Sequence, residues 1–307
     1  MKIVNNAKYL KRRFRRPVVG IGIFDGVHRG HKKILGEVVK KARAINGTSV
    51  VVTFDPHPEK ILKMIGAAPL LTSLAHRLRL LEAEGIDAAC VTQFTKKFAK
   101  ITGRDFIKNT LVKKINPSFI YIGSDFRFGR GQSADLGLLN EMGKVYGFKA
   151  TGVKLLKYKG RTVNSTLIRS LIMKGRLAAA SRLLGRPVSI LGTVVRGSRR
   201  GRILGYPTAN LNPHHEAIPP SGVYAVYAVL GGRRYKGVLN IGVRPTFMDK
   251  GAEPTIEAQI FNFRRSIYGR DIEILFRRKL RGEYRFKTQE ALIKQIRIDE
   301  HHSNMIL

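Results

Sequence analysis

The stretch that most constrains this chain runs Val19-Gly20-Ile21-Gly22-Ile23-Phe24-Asp25-Gly26-Val27-His28-Arg29-Gly30-His31. Its opening residues are apolar and rich in β-branched side chains, which predicts a buried strand over 18–24. Gly26 allows a sharp turn. Ile34, Leu35, Val38 and Val39 then repeat at helical spacing, so a helix over 32–45 follows. The first N–H groups of that helix lack intrahelical partners, and the positive end of its dipole suits a phosphate. His28 and His31 stand three apart at this mouth and share a face once the first turn has formed. Gly30 between them removes a side chain where a phosphate comes close. Two imidazoles there can stabilise charge growing on a pentavalent phosphorus. A bare H-x-x-H reads first as two histidines satisfied by a helix cap and a carboxylate. The strand before, the glycines and the helix after favour chemistry.

This segment resembles the H-x-G-H signature of the class I nucleotidyltransferases, which transfer an adenylyl or cytidylyl group from a nucleoside triphosphate. The longer form G-x-F-D-G-V-H-x-G-H, present from Gly22 to His31, is similar to the flavin branch of that superfamily.

A chain of 307 residues is long for one core and comfortable for two domains. No apolar run approaches membrane-spanning length, and the first residues, Met1-Lys2-Ile3-Val4-Asn5-Asn6, lack a signal-peptide core. A single cysteine, Cys90, excludes an intramolecular disulfide and a cysteine-rich zinc site. It lies in the apolar run Ala88-Ala89-Cys90-Val91 and reads as a core thiol. Together these features lead us to expect a cytoplasmic, soluble protein with no membrane partner and no obligatory protein partner. The net charge of +36, from 57 basic and 21 acidic residues, points to anionic partners. Yet only Lys11-Arg12-Arg13-Phe14-Arg15-Arg16 is a cluster, and no nucleic-acid-binding motif is present. Steering of small phosphate ligands accounts for the charge as well, so nucleic acid is not the expected partner.

Residues 17–155 alternate short apolar runs with amphipathic ones. Strands are expected over 18–24, 49–54, 87–93, 118–123 and 148–154, and helices over 32–45, 73–84, 104–114 and 136–146. That order predicts an α/β domain with a Rossmann-like parallel sheet, whose sites gather beyond the carboxyl ends of the strands. Helical spacing continues from Asn164 to Leu184, and the texture changes at Gly185-Arg186-Pro187. We therefore expect domains over 1–184 and 185–307. In the second, strands over 189–195, 223–229, 234–241, 254–261 and 271–277 and a helix from Thr288 to Glu300 predict a small antiparallel β-barrel with a C-terminal helix.

Other segments carry candidate chemistry. Phe54-Asp55-Pro56-His57-Pro58 is either a rigid turn or a stiff loop holding a planar ring. In Gly123-Ser124-Asp125-Phe126-Arg127-Phe128-Gly129, Arg127, and Arg130 beyond it, suit a phosphate or a solvated turn. Ser165 or Thr166 can cap a helix on which Arg169 projects about one turn in, as a phosphate clamp or as an ordinary helix arginine. From Gly197 through Arg202 and Gly205 to Asn210, glycines and arginines read as a flap over phosphates. Thr208 and Asn210, two apart on an extended segment, offer hard oxygens to one Mg²⁺ or bond their own backbone. Asn240 to Phe247 is a second loop at the same barrel end. Alternation puts Glu257, Gln259 and Phe261 on one strand face, with Glu257 a base or a solvated carboxylate.

The order of these motifs over nearly the full length resembles the bifunctional bacterial riboflavin kinase/FAD synthetase family. The resemblance implies that the N-terminal module adenylylates FMN with ATP, releasing pyrophosphate, and that a C-terminal six-stranded barrel phosphorylates riboflavin. It implies catalytic roles for His28, His31 and Glu257, the last as base on the ribityl 5′-hydroxyl. ATP contacts would come from Gly22, Phe24, Asp25, Gly30, Ser165, Thr166 and Arg169 in the first reaction, and from Gly197, Arg202, Gly205, Thr208 and Asn210 in the second. FMN would lie against Phe54, Asp55, Pro56, His57, Pro58, Asp125 and Phe128. Mg²⁺ is the implied cofactor, held at Thr208 and Asn210 in the motif Pro207-Thr208-Ala209-Asn210. The chain departs from the family pattern at Asn164, Gln132, Ala134, Gln259 and Gly282; none of these removes a named catalytic group.

Overall fold

A computed structural model describes residues 1–5, 14–62, 66–197, 201, 204–214, 216–243 and 254–307. The chain forms two units, Met1–Ala68 with Leu74–Ser165, and Pro69–Ser73 with Thr166–Leu307.

The first unit contains β1 (Lys2–Asn5), β2 (Val18–Ile21), α1 (Arg29–Ala44), β3 (Ser49–Asp55), α2 (Pro58–Leu62), α3 (Leu74–Ala83), β4 (Ala88–Gln93), α4 (Phe106–Ile115), β5 (Phe119–Gly123), α5 (Leu136–Tyr146) and β6 (Lys149–Val153). A short hairpin of β7 (Lys157–Tyr158) and β8 (Arg161–Thr162) follows. The six sheet strands lie in the order β1-β4-β3-β2-β5-β6, every neighbouring pair parallel. Alternation along the strands sorts the core into two layers. Val19, Ile21, Val50, Val52 and Phe54 pack with Phe106, Ile107 and Leu111 of α4 and Leu139 and Met142 of α5. Val18 and Val51 pack on the other face with Ile34, Leu35, Val38 and Ala42 of α1 and Leu81 of α3. Covered on both faces, β2 and most of β3 are buried throughout, which explains their near-continuous apolar sequence. The chain leaves β2 toward β3 and β4 on one side and returns to β5 and β6 on the other. The carboxyl end of β2 is thus the topological switch point, where open α/β sheets bind ligands.

The second unit begins with α6 (Ser165–Met173) and α7 (Leu177–Leu184); the expected helical run to Leu184 is broken at Gly175, whose φ is 71°. By packing, these helices group with the barrel, although the change in sequence texture comes only after them. Then come β9 (Ser189–Val195), β10 (Ala209–Asn212), β11 (Gly222–Leu230), β12 (Arg233–Val243), β13 (Pro254–Ile260), β14 (Asp271–Arg281) and α8 (Gln289–Ile306). The strands close as an antiparallel barrel in the order β10-β13-β12-β11-β14-β9. Apolar patterning predicts five of the six. The strand it omits is β10, four residues long with two asparagines, whose identity as a strand comes from pairing with β9 and β13. Thr288 caps α8 by accepting from the Ala291 N–H, and the helix runs six residues past the predicted end to Ile306. It is fastened to the barrel by Ser303 Oγ donating to the Gly237 carbonyl at 3.0 Å and by the fork of Arg281 on Asp299.

A strap of five residues, Pro69–Ser73, also belongs to the barrel unit. Leu70 bridges Glu216, and the buried Glu216 carboxylate accepts from Ser73 N at 2.6 Å and Leu191 N at 3.1 Å.

Candidate active sites

The chain leaves β2 through Gly22, whose N–H donates to the Val52 carbonyl at 3.1 Å. Phe24 to Val27 then form a tight turn closed by Val27 N on the Phe24 carbonyl at 3.1 Å. Phe24, Gly26 and Val27 have φ of 54°, 81° and 37°. Phe24 and Val27 are buried, so packing holds two non-glycine residues in the left-handed region, a strain typical of functional turns. The turn delivers His28 to the N-cap of α1, where its Nδ1 accepts from the His31 N–H at 3.3 Å. With Nδ1 accepting, the neutral ring carries its proton on Nε2. The rings of His28 and His31 stack at 3.6 Å and 17°, and Phe24 meets His31 edge-on at 5.3 Å. A Cβ at Gly30 would stand 3.1 Å from the His28 ring, so the glycine leaves room for that stack. His31 Nδ1 is enclosed without a partner among the described residues. Burial first, then His28 and Arg77, hold its pKa well below the ordinary 6.5. His31 is therefore neutral at physiological pH.

Beside this turn, at the end of β3, lies the Phe54–Pro58 segment. Phe54 is only 6% exposed and packs on Phe94, Phe98 and Phe106 at ring distances of about 6 Å. Phe128 joins the same aromatic cluster through Phe106 at 5.7 Å. Both rings are thus walls of the core, and surface for a planar ligand would come from their edges. The Asp55-Pro56 bond is cis, and His57 Nδ1 accepts from Glu59 N at 3.2 Å. Asp125 is exposed just past β5, the strand next to β2. Arg127, expected to suit a phosphate, pairs with Asp135 at 2.6 Å, and Arg130 is exposed. Ser165, the last residue of the first unit, donates to the Asp25 carbonyl at 2.9 Å. Thr166 and Arg169 follow on α6 within the second unit, Thr166 exposed and Arg169 buried. Sequence reading missed Arg77, a buried arginine of α3 that donates to the carbonyls of Ile23 and Phe54.

In the barrel, register builds the second site. Glu257 of β13 stands directly opposite Asn210 of β10 on one side and Asn240 of β12 on the other. Cross-strand partners share a face, so an amide, a carboxylate and an amide form one row. Thr208 Oγ1 donates to Glu257 Oε2 at 3.4 Å. Ile256 and Ala258 are buried, while Glu257 and Gln259 line a cavity of about 290 Å³ together with Thr208, Asn240, Tyr284 and Phe286. Thr208 also lines a second cavity, of about 480 Å³, with Pro207, Phe263, Arg264 and Tyr268. One hydroxyl thus sits at the border of two cavities, one of them holding the carboxylate. A Cβ at Gly197 would lie 2.1 Å from Asn210 Nδ2, so the amide packs directly on that glycine. Gly205 has φ of 83° in the turn before Tyr206. Arg202, and residues 244–247 of the second loop, lie outside the described residues. Sequence reading gave no role to Arg281, which forks onto Asp299 at 2.8 and 3.1 Å and lies 4.5 Å from the Tyr284 ring centroid.

The donors near Thr208 are a hydroxyl, an amide oxygen and a carboxylate, hard oxygens that fit Mg²⁺. Among the described residues, histidine, cysteine and carboxylate side chains form no group of three able to hold a metal. No described helix is long and apolar enough to cross a membrane.

Comparison with known proteins agrees with this division. A family model described as FAD synthetase matches residues 10–167, and one described as riboflavin kinase matches residues 184–307. A bifunctional riboflavin kinase/FMN adenylyltransferase of Buchnera aphidicola is 34% identical, with 100% of each chain covered. One from Escherichia coli is 38% identical over 92% of this chain and 90% of that protein. A crystal structure titled as a macrolide-efflux protein of Streptococcus pneumoniae superposes with a TM-score of 0.82 at 29% identity, covering 99% of each chain. On the matches to both halves and on relatives that span the whole length, the chain belongs to the bifunctional riboflavin kinase/FMN adenylyltransferase family.

Proposed function

We propose that this chain performs two successive transfers from ATP, with residues 185–307 phosphorylating riboflavin to FMN and residues 1–184 adenylylating FMN to FAD. The observation that carries the reading is that each unit ends in its own site of matching chemistry: the stacked His28/His31 pair at the switch point, and the Asn210–Glu257–Asn240 row beside Thr208.

In adenylyl transfer an oxygen of the FMN phosphate attacks the α-phosphorus of ATP, and the bond to pyrophosphate breaks. The nucleophile is already anionic, so the protein's task is to position it and stabilise charge. The N-terminus of α1 and the N–H groups of His28 and His31 do this. Negative phosphate beside His31 opposes the burial that keeps it neutral, so binding favours its charged form. Gly22, Phe24, Asp25 and Gly30 shape the ATP side. On the residue pattern, Ser165, Thr166 and Arg169 bind ATP phosphates. Phe54, Asp55, Pro56, His57, Pro58, Asp125 and Phe128 form the FMN side, with Phe54 and Phe128 as its apolar backing.

In the kinase reaction the ribityl 5′-hydroxyl attacks the γ-phosphorus and ADP leaves. A primary alcohol is a poor nucleophile at neutral pH, so Glu257 takes its proton. The cavity with Glu257, Tyr284 and Phe286 takes riboflavin, and the cavity with Phe263, Arg264 and Tyr268 takes ATP. Gly197, Arg202 and Gly205 cover the phosphates. Mg²⁺, when bound, neutralises phosphate charge, and Thr208 and Asn210 would hold it. ATP, riboflavin and FMN are the partners, and the cytoplasm is the setting. Incubation with riboflavin, ATP and Mg²⁺ tests the reading: FMN should appear first and FAD after it. A chain that leaves riboflavin unchanged, and supplied FMN unchanged, contradicts it.

A further inference from the structure

Arg77 sits on α3, in a run that reads from the sequence as an ordinary amphipathic helix. Its side chain is 3% exposed. Nη1 donates to the Ile23 carbonyl at 2.8 Å, and Nη2 donates to the Phe54 carbonyl at 3.1 Å and lies 3.6 Å from Asp55 Oδ1. Nε is enclosed without a partner among the described residues. A buried charge that leaves a donor unmatched is poor stability engineering, because apolar side chains of similar volume usually do as well or better. Its contacts instead join two particular places. Ile23 leads into the turn that presents His28, and Phe54 opens the turn that ends at Pro58. The Ile23 carbonyl has a second donor, Thr53 Oγ1 at 2.9 Å, which comes from β3 itself.

We propose that Arg77 is a positioning residue for adenylyl transfer, a two-ended clamp that fixes the histidine turn against the Phe54–Pro58 turn. This rests on the reading of those turns as the ATP and FMN sides of one site. A planar guanidinium suits the task because its fork reaches two carbonyls at once, whereas a lysine ammonium is a single point. In-line attack is sensitive to such spacing: a misplacement of about 1 Å can cost about 10²-fold in rate. The clamp also brings positive charge toward His31, which with burial and His28 disfavours its protonation; Asp25 and Asp55 offset part of that charge at Arg77.

The test uses full-length Arg77→Met and Arg77→Lys, each assayed for both reactions. The clamp predicts that Arg77→Met lowers kcat for FAD formation by about 10- to 100-fold, with KM for ATP and FMN changed less than about threefold. The riboflavin kinase rate of the same preparation should stay at the wild-type level. Arg77→Lys should remain impaired in kcat, since one ammonium cannot hold both carbonyls, and it carries the test if Arg77→Met fails to fold. An unchanged kcat in either folded variant overturns the clamp. So does a parallel fall in both activities, which marks a general structural role, or a loss confined to KM. A wild-type chain that makes no FAD from FMN overturns the underlying reading; active wild type beside an equally active Arg77→Met overturns the clamp alone.

Discussion

In the sheet unit the paired histidines come from one short segment, whereas the barrel's row of polar side chains comes from three separate strands. His28, Gly30 and His31 are placed by a strand, a turn and the first turn of a helix, with Arg77 and Ser165 donating to carbonyls of the same segment. Asn210, Asn240 and Glu257 meet because β10, β12 and β13 pair in one register. A slip of one residue in β13 would turn Glu257 to the other face. The first motif is contiguous, although Arg77 braces it from α3. The second is a property of the whole closed barrel.

The largest effect that sharpens this contrast is expected at Glu257. Glu257→Gln keeps shape and loses basicity, so FMN formation from riboflavin should fall by about 10²- to 10⁴-fold, the usual worth of a positioned base. Supplied FMN should still become FAD at the wild-type rate. Retained kinase activity would make Glu257 a mere strand residue. His31→Ala should do the reverse, cutting FAD formation by about 10²-fold and leaving FMN formation intact, as expected for one transition-state donor.

A smaller, structural effect is expected at Glu216. Glu216→Leu would strand the N–H groups of Ser73 and Leu191, at about 1–3 kcal/mol for each buried donor. Hydrogen exchange followed amide by amide should show the loss in the barrel, with the sheet unit's protection unmoved. The same strap implies that a fragment of residues 185–307 is less stable than one that retains it.

The pH response should also separate the units. Because the folded pKa of His31 lies below 6.5, the folded, ligand-free protein binds fewer protons than the unfolded chain. This destabilising contribution is absent well above pH 6.5 and grows as pH falls through 6.5 toward the folded value. Melting of the ligand-free sheet unit between pH 7.5 and pH 5.5 should therefore drop more in the wild type than in His31→Ala. Equal drops would mean that His31 is not buried as neutral imidazole. The smallest effect concerns Cys90, whose buried thiol is pushed up to about 12. Iodoacetamide at neutral pH should label it only after unfolding.

The contrast also explains what was legible in the sequence. The first motif is contiguous, so its glycines, histidines and following helix can be read in one window. Strands buried on both faces announce themselves as apolar runs, and β3 fell where expected, while β2 stops at Ile21, three residues short of the expected end, where the chain enters the histidine turn. β1 was missed because it is four residues long and mostly exposed, and β10 because it is short and polar. Arg77 was missed for a different reason. Its role depends on carbonyls 54 and 23 residues away, and nothing in Leu74–Ala83 marks which arginine turns inward. Glu216 depends in the same way on Ser73. Phe54 and Phe128 carry motif positions, yet burial, which the motif cannot show, makes them backing for the aromatic cluster.

On this reading one chain carries two separate sets of residues for two successive transfers, and FMN made at one set is the substrate of the other. Full-length His31→Ala and Glu257→Gln, each incubated with riboflavin, ATP and Mg²⁺, and then mixed in equal amounts, test it most directly. His31→Ala should stop at FMN, Glu257→Gln should leave riboflavin, and the mixture should make FAD. A mixture that makes no FAD, or a single variant that makes it at the wild-type rate, would mean that the two transfers do not use separate residue sets.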